Sequence, residues 1–386
     1  MNYGINKRAT ANEITAHSQL TNLDYAVADH TGFSPTVHSH LYANVNCGID
    51  ETTPITANDI SINYTTRVLT IVPPLGYFNF FTDGNGVYEK HIQTGNLVFP
   101  AFTNTSGYWY FYINADGEAV TTQTAWTDFS LIAPIHRLSW NATTQSCVSC
   151  FVEYHLNTIS SIDHLWKHSI GAIWIRGLDM YHNAITSGSP NADGRNTVLG
   201  LSSGAMMDDN LLERISNTHP NSPVNKWEQN LGQTDKTGLT SSLSAILNIR
   251  YKGATEAELV TGTRFPFLWN SQNNKPQYIN TSGARTDVTA NYFFVYYAYG
   301  IFDPRAGEAI RLTLVYSEYA NLQTAQDVSW RTVQLQDPAA RDLEIRPLYK
   351  IIFEYKTNYD VACKYSAIRE VYDVRKEIVA LSNFLV

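Results

Sequence analysis

Asp59-Ile60-Ser61-Ile62-Asn63-Tyr64 sets an apolar side chain at every second position, and after Thr65-Thr66 the run Arg67-Val68-Leu69-Thr70-Ile71 continues in the same style. A period of two places alternate side chains on opposite faces, so each run reads as a strand with one buried face. Outward from this pair the pattern repeats. Asp83-Gly84-Asn85-Gly86 is a tight-hairpin signal, and Asp116-Gly117 follows the aromatic strand Tyr108-Trp109-Tyr110-Phe111-Tyr112-Ile113. Ile135 to Trp140 and Cys147 to Tyr154 flank a turn at Asn141-Ala142-Thr143. Short strands at this spacing predict a sandwich or jelly roll. After Gly238 the β pattern resumes, most clearly over residues 246–252, 291–302, 310–316 and 348–355, with a final strand over 365–374.

Between the two β regions the character changes. Ser161 caps a segment of helical spacing, Ile162 to His168, that Gly171 ends, and residues 186–195 read as a loop. Residues 207–214 fit a short strand or a helical turn equally, and 318–326 fit a short helix. Residues 1–50 show little alternation, are punctuated by Gly32, Pro35 and Gly48, and carry Leu20, Leu23, Tyr25 and Phe33, which so thin a segment cannot bury by itself. The expected fold is therefore mainly β: two β-sandwich/jelly-roll-like domains (51–154 and 236–386), an extended N-terminal arm for docking and trimerisation (1–50), and a short, mixed helical connecting module (155–235).

Composition bounds the function. Of 386 residues only 16% are charged and 44% are hydrophobic, with a net charge of −8. A nucleic-acid face needs clustered Lys and Arg, so no nucleic-acid partner is expected. Eight Trp, 24 Tyr and 16 Phe rule out a disordered chain. The longest apolar run, Tyr292 to Phe302, falls short of a bilayer span, the first residues lack the apolar core of a secretory signal, and four cysteines are too few for a disulfide framework. A soluble protein made in a reducing cytoplasm is the expectation, without membrane insertion. No 20–50-residue repeat is present.

Several constellations could carry chemistry. His38 and His40 would point the same way in a strand, so copies of the pair could converge. Glu153, His155, His164 and His168 form a second group. On a helix, His164 and His168 lie one turn apart, but Leu165 stands where a zinc protease has its general base, so a buried structural polar network is the better reading. Cys147 and Cys150 would face opposite sides of a regular strand, which suits neither a shared metal nor a disulfide. Tyr77-Phe78, Tyr108 to Tyr112 and Tyr292 to Tyr299 could stack sugars, but their alternation fits core and inter-subunit packing better. No nucleophile elbow, P-loop or dinucleotide fingerprint occurs, and Asp208 and Asp209 could act as glycosidase partners only through a proximity that sequence does not give. No catalytic residue is assigned, and no enzyme is expected.

Three stretches resemble structural proteins of tailed bacteriophages, in the tail-fibre and baseplate-appendage group. His17 to Phe33 (HSQLTNLDYAVADHTGF) resembles the H-x-x-L-x-N-L-D-Y-A-x-x-x-H-T-G-F segment of tail fibres. Tyr108 to Glu118, Ala133 to Asn141, Glu153-Tyr154-His155, His164, His168, Gly171, Gly177 and Leu201 to Asp209 resemble the aromatic strand, turn, E-x-H, H-x-x-x-H and acidic elements of the same group, with Asp208-Asp209-Asn210 departing from the acidic triplet. Tyr292 to Tyr299, Ala325, Leu348 to Phe353 and Val371 to Arg375 resemble its end. The resemblance implies a non-catalytic virion protein, made in the bacterial host cytoplasm. It would form a homotrimer around the arm, contact other tail, baseplate or neck proteins, and anchor or present the host-adsorption apparatus. It also implies that three copies of His38 and His40 could hold an axial iron, no other cofactor being expected. A receptor-binding module that contacts host cell-surface glycan directly, and a capsid-anchored head fibre or collar protein, are the alternatives.

Overall fold

The computed structural model describes residues 47–50, 52–53, 55–56, 59–84, 87–126, 131–154, 172–182, 199–208, 211–215, 247–253, 257–263, 266–302, 310–330, 345–359, 361 and 364–377. Residues 47–154 contribute ten strands: β1 (Gly48–Ile49), β2 (Ile60–Asn63), β3 (Val68–Ile71), β4 (Tyr77–Gly84), β5 (Val87–Thr94), β6 (Leu97–Val98), β7 (Gly107–Ile113), β8 (Ala119–Thr122), β9 (Ala133–Asn141) and β10 (Ser146–Val152). They form three sheets in the orders β1-β4-β5, β2-β3-β6 and β10-β9-β7-β8. Alternation decides which side chains meet: Leu69 and Ile71 of β3, Phe78 and Phe80 of β4, Trp109, Phe111 and Ile113 of β7, and Leu138 and Trp140 of β9 share one buried core. Phe102 closes it, edge-on to Phe111 and Trp140 at centroid separations of 6.1 and 5.2 Å.

In the segment read as strand or helical turn over 207–214, the described residues are strand. Among β11 (Ile173–Gly177), β12 (Met180–His182), β13 (Leu199–Leu201), β14 (Gly204–Asp208) and β15 (Leu211–Ile215), the last two pair from Gly204↔Ile215 to Asp208↔Leu211. The C-terminal region supplies β16 (Leu247–Lys252), β17 (Ala257–Thr263), β18 (Gln277–Ile279), β19 (Arg285–Asp287), β20 (Phe293–Ile301), β21 (Ile310–Tyr319), the short helix α1 (Leu322–Gln326), β22 (Ile345–Tyr355) and β23 (Ser366–Asp373). Six of these strands form one sheet, ordered β17-β16-β21-β20-β22-β23, antiparallel except for the β16–β21 pair. Every residue of β20 and of β22 is buried. Phe294, Tyr296 and Ala298 enter one core, while Phe293, Val295, Tyr297 and Tyr299 enter another on the opposite face. A strand covered on both faces is apolar throughout rather than at alternate positions, which is why residues 292–302 read as one unbroken run. The fold is mainly β, as the sequence pattern predicts.

The cysteine expectation is corrected. In β10 the register with β9 shifts between Cys147 and Ser149, inserting a residue into the strand. A bulge reverses the facing of everything beyond it, so Cys147 and Cys150 both enter the core that holds Trp140 and Phe111. Both are buried, as is Cys47.

Candidate functional site

In the sheet ordered β10-β9-β7-β8, β7 lies between β8 and β9, which are consecutive in the chain. Both are antiparallel to β7, so they run parallel to each other and the connection between them, described at residues 123–126 and 131–132, is a crossover. The inner face holds Trp109, Phe111 and Ile113, and the described start of the crossover lies on the outer face, where Tyr108, Tyr110 and Tyr112 stand. Trp126 of the crossover meets the Tyr110 ring edge-on, with centroids 5.1 Å apart. Arg137, across from Tyr110 on β9, lies over the Tyr108 and Tyr110 rings at 5.4 and 5.8 Å.

Between crossover and sheet a cavity of about 330 Å³ opens, lined by Tyr112, Thr122, Thr124, Ala125, Trp126, Leu131 and Ile132. Tyr112 and Thr122 belong to the sheet surface; the others belong to the crossover. Thr122 Oγ1 accepts the Thr124 N–H at 3.0 Å, which fixes the start of the crossover and leaves the Thr122 hydroxyl its hydrogen to donate. No described lining residue is charged. Of these residues, Tyr112 alone lies in an aromatic cluster that the sequence singles out. Trp126 carries the one signal that could have added the rest, an indole isolated in the polar run Thr121-Thr122-Gln123-Thr124 to Asp128.

The remaining expected site residues fall as follows. Leu20, Leu23, Tyr25, Phe33, His38 and His40 lie outside the described residues, as do His155, His164, His168 and Asp209. Glu153 is buried just beyond β10, its N–H donating to the Ile135 carbonyl at 3.0 Å. Asp208 ends β14 opposite Leu211. Tyr77 is 41% exposed whereas Phe78 is in the core, and the Tyr292–Tyr299 cluster packs on both faces of its sheet. Among the described residues no group of three or more His, Cys, Asp or Glu is placed to hold a metal. No described helix is long and apolar enough to cross a membrane.

Two further polar clusters were not legible in the sequence. Arg250 Nε donates to the Val148 carbonyl at 2.6 Å and Arg311 Nη1 to Ser149 Oγ at 2.7 Å; both guanidinium groups are fully buried. They join the bulged edge of β10 to β16 and β21, alongside Val152 N–H to Phe302 O at 3.0 Å and Asn141 Nδ2 to Ala257 O at 3.0 Å. The Tyr251 hydroxyl donates to Glu258 and accepts from Arg285 Nε at 2.7 Å. Burial and then the Glu258 bond push that phenol up to about 12, so it stays protonated at neutral pH and acts as a tie rather than a nucleophile.

These features describe a mainly-β protein with a small cavity on one sheet face, its described lining made of aromatic, hydroxyl and aliphatic side chains. No protein-family model, no curated protein and no solved structure matches the chain.

Proposed function

We propose that the chain is a non-catalytic structural protein of a tailed-phage virion, in a tail-fibre, baseplate or neck appendage, where it anchors or presents the adsorption apparatus. The observation that supports this reading is the position of the residues that carry the phage resemblance. Tyr108 to Ile113 and Ala133 to Asn141 are the neighbouring strands β7 and β9, and Phe293 to Tyr299, Leu348 to Phe353 and Val371 to Asp373 lie on the neighbouring strands β20, β22 and β23. Their buried side chains are packing residues, so the shared pattern is one of scaffold. Side chains buried in this way hold strands together, which suits a scaffold. Mass spectrometry of density-purified phage particles tests the function. The chain should be recovered with intact particles in a fixed ratio to other tail proteins, and its absence from them sinks the proposal.

A further inference from the structure

We propose that the outer face of the ribbon made by β3 to β6 is a contact surface for a second copy of this chain. The inference stands on that face and does not depend on the chain's place in a virion. β3 pairs with β6 and β4 with β5, both antiparallel, and Gly95 N–H donates to the Gly76 carbonyl at 2.8 Å. The four strands therefore make one long ribbon, bent at the turn that the Gly76 N–H to Pro73 O bond closes at 3.0 Å. Leu69, Ile71, Phe78 and Phe80 turn its inner side into the core. Alternation then puts Val72, Tyr77, Ile92 and Val98 on the outer side, Val98 across from Thr70 and Ile92 across from Asn79. Leu75 stands on the turn between them.

Ile92 (66%), Leu75 (62%), Val98 (57%) and Val72 (48%) are the four most exposed large apolar side chains among the described residues, and Tyr77 lies beside them. Together the five show roughly 500 Å² to solvent, as much as the largest apolar patch of a typical monomer, and patches of that size mark interaction sites. The shape of the face narrows the partner. Side chains standing on a two-stranded ribbon make a shallow surface, which packs well on another sheet face about 10 Å away. Every copy of the chain presents one. Two such faces brought together remove about 1,000 Å² of apolar surface, the lower bound of a specific interface, before the rim of Thr70, Thr94 and Asn96 is counted. Charge allows the approach. The next side chain along that face of β5, Lys90, is paired with Asp50 at 2.8 Å, so its charge is offset where identical faces meet. A lipid surface fits less well, because anionic headgroups repel a chain of net charge −8.

The test follows self-association of the full chain by sedimentation velocity over a range of concentrations. Reversible or stable association is expected, and the double variant Ile92→Asp/Val98→Asp should weaken it at least about tenfold. Val361→Asp, at an exposed apolar residue away from the ribbon, should leave it unchanged. Near-UV circular dichroism checks that the variants fold. A second measurement stands whether or not they do: Tyr77 is replaced by the photocrosslinker benzoylphenylalanine, and the products are mapped by mass spectrometry. A product of two chain masses, joined from position 77 to residues 67–100 of the other copy, is expected. The proposal is overturned by a chain that stays monomeric at every concentration, or by association that the double variant leaves intact. It is equally overturned by cross-links that run to residues 1–46 of either copy, or by capture on phosphatidylcholine vesicles that the double variant abolishes while self-association persists.

Discussion

Asp50 follows β1 and is only 6% exposed. Burial opposes its ionisation, but Lys90 Nζ at 2.8 Å and the backbone and hydroxyl of Thr52 at 3.0 and 2.9 Å outweigh it and hold the carboxyl at about 2. Because the folded value lies below the ordinary one, the contribution to stability is present above about pH 4 and is lost as pH falls towards 2. Its size is about 1–2 kcal/mol, since Lys90 is half exposed and screened. Urea unfolding between pH 5 and 2 should show this loss, and Asp50→Asn should flatten the slope; an unchanged slope in the variant would place the pH dependence elsewhere. A second residue-scale constraint sits in the β7–β8 turn. Gly117 has φ +81°, and a Cβ there would lie 2.9 Å from His91 Nδ1. The His91 ring cannot easily retreat. It stacks on Phe80 at 5.0 Å, and its Nε2 is 2.7 Å from Thr82 Oγ1, whose own hydrogen goes to Ala115 O at 3.1 Å. Gly117→Ala should therefore cost about 1–3 kcal/mol in denaturant unfolding; a neutral result would mean that the turn relaxes.

At the scale of elements, what could be read from sequence depended on whether burial was one-sided. The half-buried strands β2 and β3 were legible from alternation alone, and the hairpin turns after β4 and β7 from their Asp-Gly steps. β20 was legible as a buried run, but which sheet face each side chain served was not. The bulge in β10 is not legible, because inserting a residue changes facing without changing composition, and plain alternation puts Cys147 and Cys150 on opposite faces. Of the cavity, sequence showed Tyr112 and missed the crossover residues, since strand order rather than local pattern brings them onto β7. Strand order also sets the close approach of β20 to the β14–β15 hairpin. A Cβ on Gly300 would fall 2.0 Å from Met206 Sδ. Gly300→Ala should destabilise by about 1–3 kcal/mol, and in a Met206→Ala background the same change should cost distinctly less. Equal costs in both backgrounds would show that the methionine moves aside freely.

For the molecule as a whole, the bonds from Arg250, Arg311, Val152 and Asn141 cross between the sheets of residues 47–154 and the six-stranded sheet. Donors this buried are costly to strand without acceptors, so opening the seam should raise the free energy of either half. One calorimetric transition, coincident by near- and far-UV circular dichroism, is expected; two separated transitions would show that the seam does not couple them. Ser149→Ala, which removes one acceptor of Arg311, should lower the stability read from that single transition by about 0.5–1.5 kcal/mol. Absolute mass by light scattering bears on the proposed assembly. Three times the chain mass is the expected value, and its collapse on adding a strong chelator would favour metal at His38 and His40. A stable monomer would instead favour an adaptor that docks on a preassembled ring.

The crossover that roofs the cavity carries a consequence for how such a protein can diverge. Tyr112 and Thr122 are tied into strands, whereas Thr124, Ala125, Trp126, Leu131 and Ile132 lie outside every strand. Substitutions and length changes there alter the roof while the floor keeps its register. The lining of the cavity can thus vary at little expense to folding, and a library randomised over these five positions should yield mostly folded chains.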